Sequence, residues 1–129
     1  MSGLRDLKKL ELWDNEIADI GPLSELINLE LLNLDGNKIE DIGPLSGMKG
    51  LVDLELSANQ IADISPLAGL TNLRSLRIER NEITDIRVVS GFSQLEQLAL
   101  GKNNVSDISP LSPLHNLQIL HLWENQISD

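Results

Sequence analysis

Leu51-Val52-Asp53-Leu54-Glu55-Leu56-Ser57-Ala58-Asn59-Gln60-Ile61-Ala62-Asp63-Ile64-Ser65-Pro66-Leu67-Ala68-Gly69-Leu70 carries the pattern that organises the whole chain. Around Leu54-Glu55-Leu56 apolar and polar residues alternate, which is the period-two signature of a strand with one buried face. Equivalent strands fall around Leu10, Leu32, Leu76, Leu98 and Leu120. Asn59 follows its strand, and Asn15, Asn37, Asn81, Asn103 and Asn125 occupy the same place, each 22 residues from the next. Such an array is a solenoid, in which each repeat buries its apolar face only by stacking on its neighbours. Because every repeat returns the chain to the same point in the same direction, the strands are expected to pair in parallel, one per repeat.

The remainder of each repeat is legible in the same way. The Asn stands where the chain is expected to leave the sheet, and its amide can both donate to and accept from backbone groups that a tight buried turn leaves unpaired. Ile17, Ile39, Ile61, Ile83, Val105 and Ile127 follow and should fill the interior behind that turn. Asp19, Asp41, Asp63, Asp85, Asp107 and Asp129 come next and suit a backbone cap or Asx-turn. A calcium ladder is the competing reading. It fails because calcium takes about six to eight oxygens, whereas each repeat offers one Asp followed by an apolar residue or the chain end. Gly21-Pro22, Gly43-Pro44, Ser65-Pro66 and Ser109-Pro110 place an N-cap residue before a proline suited to the first helical position. A short helical or 3₁₀ turn is expected there, ending near Leu26, Met48, Leu70, Phe92 and Leu114.

Composition narrows the function. Asp plus Glu number 20 against 10 for Lys plus Arg, a formal charge of -10 that argues against binding nucleic acid or an anionic membrane. Membrane insertion is not expected, since no apolar run approaches about 18 residues. Without cysteine there is neither a disulfide framework nor a thiolate metal site, and the compartment stays open. His115 and His121 are the only histidines, and neither lies in a metal-spaced cluster or beside a serine nucleophile set. Glu11, Asp53 and Glu55 share one sheet, but a flat, wet surface does little to separate two carboxyl pKa values. No cofactor, metal or catalytic role is expected.

The run Leu-x-x-Leu-x-x-Leu-x-Leu-x-x-Asn-x-Ile-x-Asp-Ile-x-Pro-Leu, from Leu4 to Leu23 and again from Leu26 to Leu45, resembles the 22-residue leucine-rich repeats of bacterial internalins. A related repeat class, that of the nuclear regulatory subunit of protein phosphatase 1, usually lacks so regular an Asp-Ile-x-Pro-Leu. The resemblance implies an α/β-class leucine-rich-repeat solenoid with a parallel sheet on the concave face and short 3₁₀ turns on the convex face. One domain is expected over 1–129, with repeats at 4–25, 26–47, 48–69, 70–91 and 92–113 and a partial one at 114–129. Internalins bind host-cell surface proteins through the concave sheet, so the resemblance implies a protein partner and a secreted or cell-surface setting. No signal peptide or anchor is visible here. The chain starts within three residues of a repeat and stops inside another, which reads as a fragment able to self-associate through uncapped ends.

Recognition in such a solenoid is expected at the outward strand positions, because the leucines are committed to the core. The candidates are Glu11, Trp13, Asn33, Asp35, Glu55, Arg77, Glu79, Arg80, His121 and Trp123. Trp13 and Trp123, the only tryptophans, stand at the same position of the first and sixth rungs, and tryptophan is enriched in binding hot spots. Five strand steps separate them by roughly 24 Å, so they cannot line one small pocket. Ile119, His121 and Trp123 form an apolar strip at the last rung. The fourth repeat departs most: Arg87-Val88-Val89 replaces the Pro-Leu motif, and Arg74, Arg77, Arg80 and Arg87 make a basic island there. Arg77 lies across the rung from Glu55, so local charge balancing also accounts for that residue. The expected function is therefore a non-catalytic protein-binding module. The rivals are the recognition segment of a larger signalling enzyme or phosphatase-regulatory protein, and a structural or engineered scaffold.

Overall fold

The structure, a computed structural model, describes residues 2–128. It contains six short parallel strands in one sheet in sequence order. They are β1 (Lys9–Glu11), β2 (Leu31–Asn33), β3 (Asp53–Glu55), β4 (Ser75–Arg77), β5 (Gln97–Ala99) and β6 (Ile119–His121). The register has no stagger: Leu10 faces Leu32, Leu32 faces Leu54, and the same step continues through Leu76, Leu98 and Leu120. Every rung therefore presents equivalent residues in straight columns. Leu32, Leu54, Leu76 and Leu98 are fully buried, and behind them Leu34, Leu56, Ile78 and Leu100 form the next layer. A single aliphatic core runs the length of the stack, with Met48 and Phe92 filling the positions held elsewhere by leucine.

Stacking is fixed by the asparagines as well as by the leucines. The Asn59 amide donates to the carbonyls of Leu34, Leu56 and Ser57 at 3.0, 3.1 and 3.2 Å, and its oxygen accepts from the Ile39 N–H at 3.0 Å. Each interior asparagine thus bridges its own turn to the repeat before it. Asn37, Asn81 and Asn103 do the same. A second, sparser series was not legible in the pattern: Asn28, Asn72 and Asn116 donate to the carbonyls of Arg5, Lys49 and Ser93 in the preceding repeat.

The return segments are 3₁₀ turns: Ser2–Leu4, Gly21–Leu23, Gly43–Leu45, Ser65–Leu67, Arg87–Gly91 and Ser109–Leu111. Their caps differ from expectation. Ile20, Ile42, Ile64 and Ile108 hold the cap position without a side-chain hydrogen bond, and Gly or Ser is already the first residue of the turn. The cap is supplied from upstream, because Asp19, Asp41, Asp63, Asp85 and Asp107 each accept the N–H two residues on at 2.8 to 2.9 Å. Those Asx-turns are the role read for the aspartates. Asp129 lies outside the described residues. The 3₁₀ turns also stop short of Leu26, Met48, Leu70 and Leu114, which are reached through one further hydrogen-bonded turn each. No helix among the described residues is long and apolar enough to cross a membrane.

Candidate protein-interaction surface

Among the described residues nothing covers the face of the sheet opposite the core. Four columns of side chains stand on it, headed in the first rung by Lys9, Glu11, Trp13 and Asp14. The fourth column has a conformation the sequence did not announce: Asp14, Gly36, Ala58, Arg80, Lys102 and Glu124 all have positive φ, between 52° and 69°. This left-handed residue, one before the asparagine, is what turns the chain out of the strand. Only Gly36 is intrinsically suited to it. The others are held by the ladder, as where the Ala58 N–H donates to the Glu79 carbonyl at 2.9 Å and the Arg80 N–H to the Gly101 carbonyl at 2.8 Å.

The first three rungs are acidic. Glu11, Asp35 and Asp53 lie close enough to Glu55 to act on its carboxyl, and burial is the largest influence on Asp35, Asp53 and Glu55. Burial raises the Glu55 carboxyl above its ordinary value; Asp35, Asp53 and Glu11 push the same way, and Arg77 opposes them. Asp53 is raised by burial against the pull of Arg77, and one of its oxygens is buried without a hydrogen-bond partner. Asp35 is raised by burial too, although the Ser57 N–H donates to it at 2.7 Å. Asn33 accepts from the Asp35 N–H at 3.0 Å, and the Ser57 hydroxyl accepts from the Glu79 N–H at 3.1 Å. Asn33 and Asp35 therefore help hold the backbone of the face as well as lining it. Ser57 is an outward position of the third rung by its spacing, but its part in this chain of contacts is not legible, since a lone serine in a strand carries no signal of its own.

Rungs four to six are different. Arg77 pairs with Glu55 at 3.4 Å, the balancing expected from sequence. With its amide oxygen turned toward the guanidinium, Gln97 accepts from Arg77 as well, at 3.1 and 3.3 Å. Ala99 and Gly101 in the fifth rung are small and buried, so they contribute no outward side chain. Side chains of the sixth rung lean across them. The Trp123 indole lies on Gly101, where any Cβ would collide with the ring. Beyond it the Arg80 guanidinium carbon sits 5.6 Å from the ring centroid. His121 Nδ1 approaches the Glu79 carboxylate at 4.0 Å. Glu79, Arg80, His121 and Trp123 are thus brought together, whereas Trp13 stands apart at 54% exposed.

The basic island does not form as one unit. Arg87 belongs to a 3₁₀ turn away from the open face and is bound to Asp85, its Nε donating at 2.9 and 3.1 Å. Arg77 and Arg80 are on the face with opposite fates, one paired and one stacked. The sequence places all four arginines within one repeat, but strand and turn separate them.

Two family profiles match the chain: leucine-rich repeats in two copies at residues 5–47 and 49–92, and leucine-rich repeat at 71–127. The chain is a leucine-rich-repeat protein. No curated protein sequence matches it. Among solved structures, internalin C2 of Listeria monocytogenes is similar at 41% identity and a TM-score of 0.92, covering 94% of this chain and 54% of that one. Internalin InlF of the same organism is 34% identical with a TM-score of 0.84, over 99% of this chain and 45% of its own. A leucine-rich-repeat protein of Leptospira interrogans is 30% identical with a TM-score of 0.92, over 98% and 33%. The leucine-rich-repeat chain therefore has repeats of the internalin type, and it spans about half or less of the length of these relatives. Its kinship is with a class of generally non-catalytic interaction modules.

Proposed function

We propose that this leucine-rich-repeat chain is a module that holds a protein partner on the open face of its sheet. The observation that carries the reading is the bareness of that face. Parallel sheets are ordinarily covered on both sides, yet here one side bears no layer and displays Trp13 at 54% and Trp123 at 41% exposed among charged groups. Large aromatics amid polar residues on a rigid, extended surface are the composition of a protein-binding patch. The formal charge of -10 and the carboxylates of the first three rungs favour a partner with a basic or mixed surface over an acidic one. The resemblance to internalins, which implies a host-cell surface protein as partner, supports this reading and the choice of cell-surface proteins as the partner class.

Affinity capture from a cell-surface protein fraction tests it with three forms of the chain. These are the wild type, an open-face double variant (Trp13→Ala with Trp123→Ala) and a turn-side variant (Arg87→Ala). A protein held by the first and third and lost from the second is the expected result. Proteins held equally by all three would remove the open face as the binding surface.

A further inference from the structure

We infer that Arg80, stacked on Trp123, is an anchor for a carboxylate side chain of the partner, with an apolar residue beside that carboxylate resting on the indole. The inference rests on the open face being the binding surface and names what part of it receives. On rungs four to six, Arg77 is paired with Glu55 at 3.4 Å and Lys102 with Glu124 at 3.8 Å. Arg80 has no ion-pair partner among the described residues; its neighbour is an aromatic face 5.6 Å away. A guanidinium that lies over a ring keeps its N–H groups in the plane around its edge, available to both oxygens of a carboxylate. Glu79, next along the chain, is turned toward His121 at 4.0 Å.

The stack is preorganised from below. Gly101 has no side chain, so the Trp123 ring lies directly on the backbone of the fifth rung. Arg80 leaves the backbone from a left-handed residue with φ of 55°, tied to the same rung through its N–H to the Gly101 carbonyl at 2.8 Å. Both halves of the stack are thus referred to one glycine. The outer surface stays accessible: Trp123 is 41% exposed, and Ile119 in the same rung is 45% exposed. Arg80 and the exposed indole offer a cation beside an apolar face, which complements an acidic residue followed by an aliphatic one. The anionic first three rungs repel such a segment, so recognition of it is confined to this end of the face.

The two indoles of the chain make the test direct, since each gives its own Nε1–H resonance. The full ¹⁵N-labelled chain is titrated with N-acetyl-glutamyl-leucine amide and, separately, with N-acetyl-glutaminyl-leucine amide. We expect the glutamyl peptide to shift the Trp123 indole and Arg80 Nε–H resonances saturably, with half-saturation at about a tenfold lower concentration than its neutral twin. Arg80→Gln is expected to erase that preference, and Arg80→Lys to restore only part of it. Equal responses to the two peptides, no response at Trp123, or a preference that survives Arg80→Gln would each overturn the anchor. A response at Trp13 alone would overturn it too while leaving the open face as a binding surface. Failure of that wider reading is seen separately, in the capture experiment.

Discussion

At the residue scale, the interior asparagines do the most for the least volume. Asn59→Ala removes an amide nitrogen that serves three carbonyls and an oxygen that accepts one N–H, at a site that is 9% exposed, leaving the carbonyls of Leu34, Leu56 and Ser57 and the Ile39 N–H without that partner. We expect a loss of about 3 kcal/mol in urea unfolding, from several buried backbone groups each costing about 1 kcal/mol or more. Asn15→Ala should cost well under half as much, because Asn15 is exposed and bonds only the Leu12 and Trp13 carbonyls of its own turn. The left-handed column gives the opposite kind of test. Ala58 holds φ of 57°, so Ala58→Gly is expected to raise stability by about 0.5 kcal/mol, relief of the left-handed cost outweighing the added chain entropy. A lowered urea midpoint would count against that accounting.

The elements show what sequence discloses and what it withholds. Strand position and register were legible because Leu54 and Asn59 have chemically distinct fates, core and turn, that repeat without variation. The aspartate caps were legible because Asp followed two residues later by a free N–H is a local matter. The left-handed turn was not, since Asp14, Ala58, Arg80, Lys102 and Glu124 share no chemistry that favours positive φ. Nor was the meeting of Arg80 with Trp123, which depends on the missing side chain of Gly101 in the rung between them. Columns can be read from spacing; reach across two rungs cannot. The five-residue turn Arg87–Gly91 has Val88 where the turns at Gly21–Leu23, Gly43–Leu45, Ser65–Leu67 and Ser109–Leu111 have Pro22, Pro44, Pro66 and Pro110. Val88→Pro should stabilise the chain by about 0.5 kcal/mol through the unfolded state, read as a higher thermal midpoint.

The whole molecule has two sets of carboxylates that respond oppositely to acid. Asp35, Asp53 and Glu55 are raised above ordinary values of 3.8, 3.8 and 4.5, chiefly by burial, so the folded state takes up protons before the unfolded one does. Their ionisation disfavours folding at neutral pH, and that penalty is relieved as pH falls through their raised values toward the ordinary ones. Asp63 and Asp107 are lowered by hydrogen bonds from Ser65 and Ser109, and Asp85 by those from Arg87. Their contribution is complete above 3.8 and is lost as pH falls through the lowered values. The urea midpoint is therefore expected to rise on acidification from pH 7 toward 4.5 and to fall again below 3.8. Glu55→Gln should flatten the rise without moving the fall. A midpoint that declines steadily from neutral pH would show that these half-buried carboxylates do not govern the upper limb.

The turn column that Asp14, Gly36, Ala58, Arg80, Lys102 and Glu124 share has one more consequence. Its strained conformation is imposed by the neighbouring rungs and is met by acid, base and aliphatic alike, so the fold admits side chains of either charge there, all of them unbranched at Cβ. Charge on that column can therefore be exchanged, among side chains unbranched at Cβ, while the frame beneath it stays the same. An uncomfortable backbone position is thus also one that accepts either sign of charge.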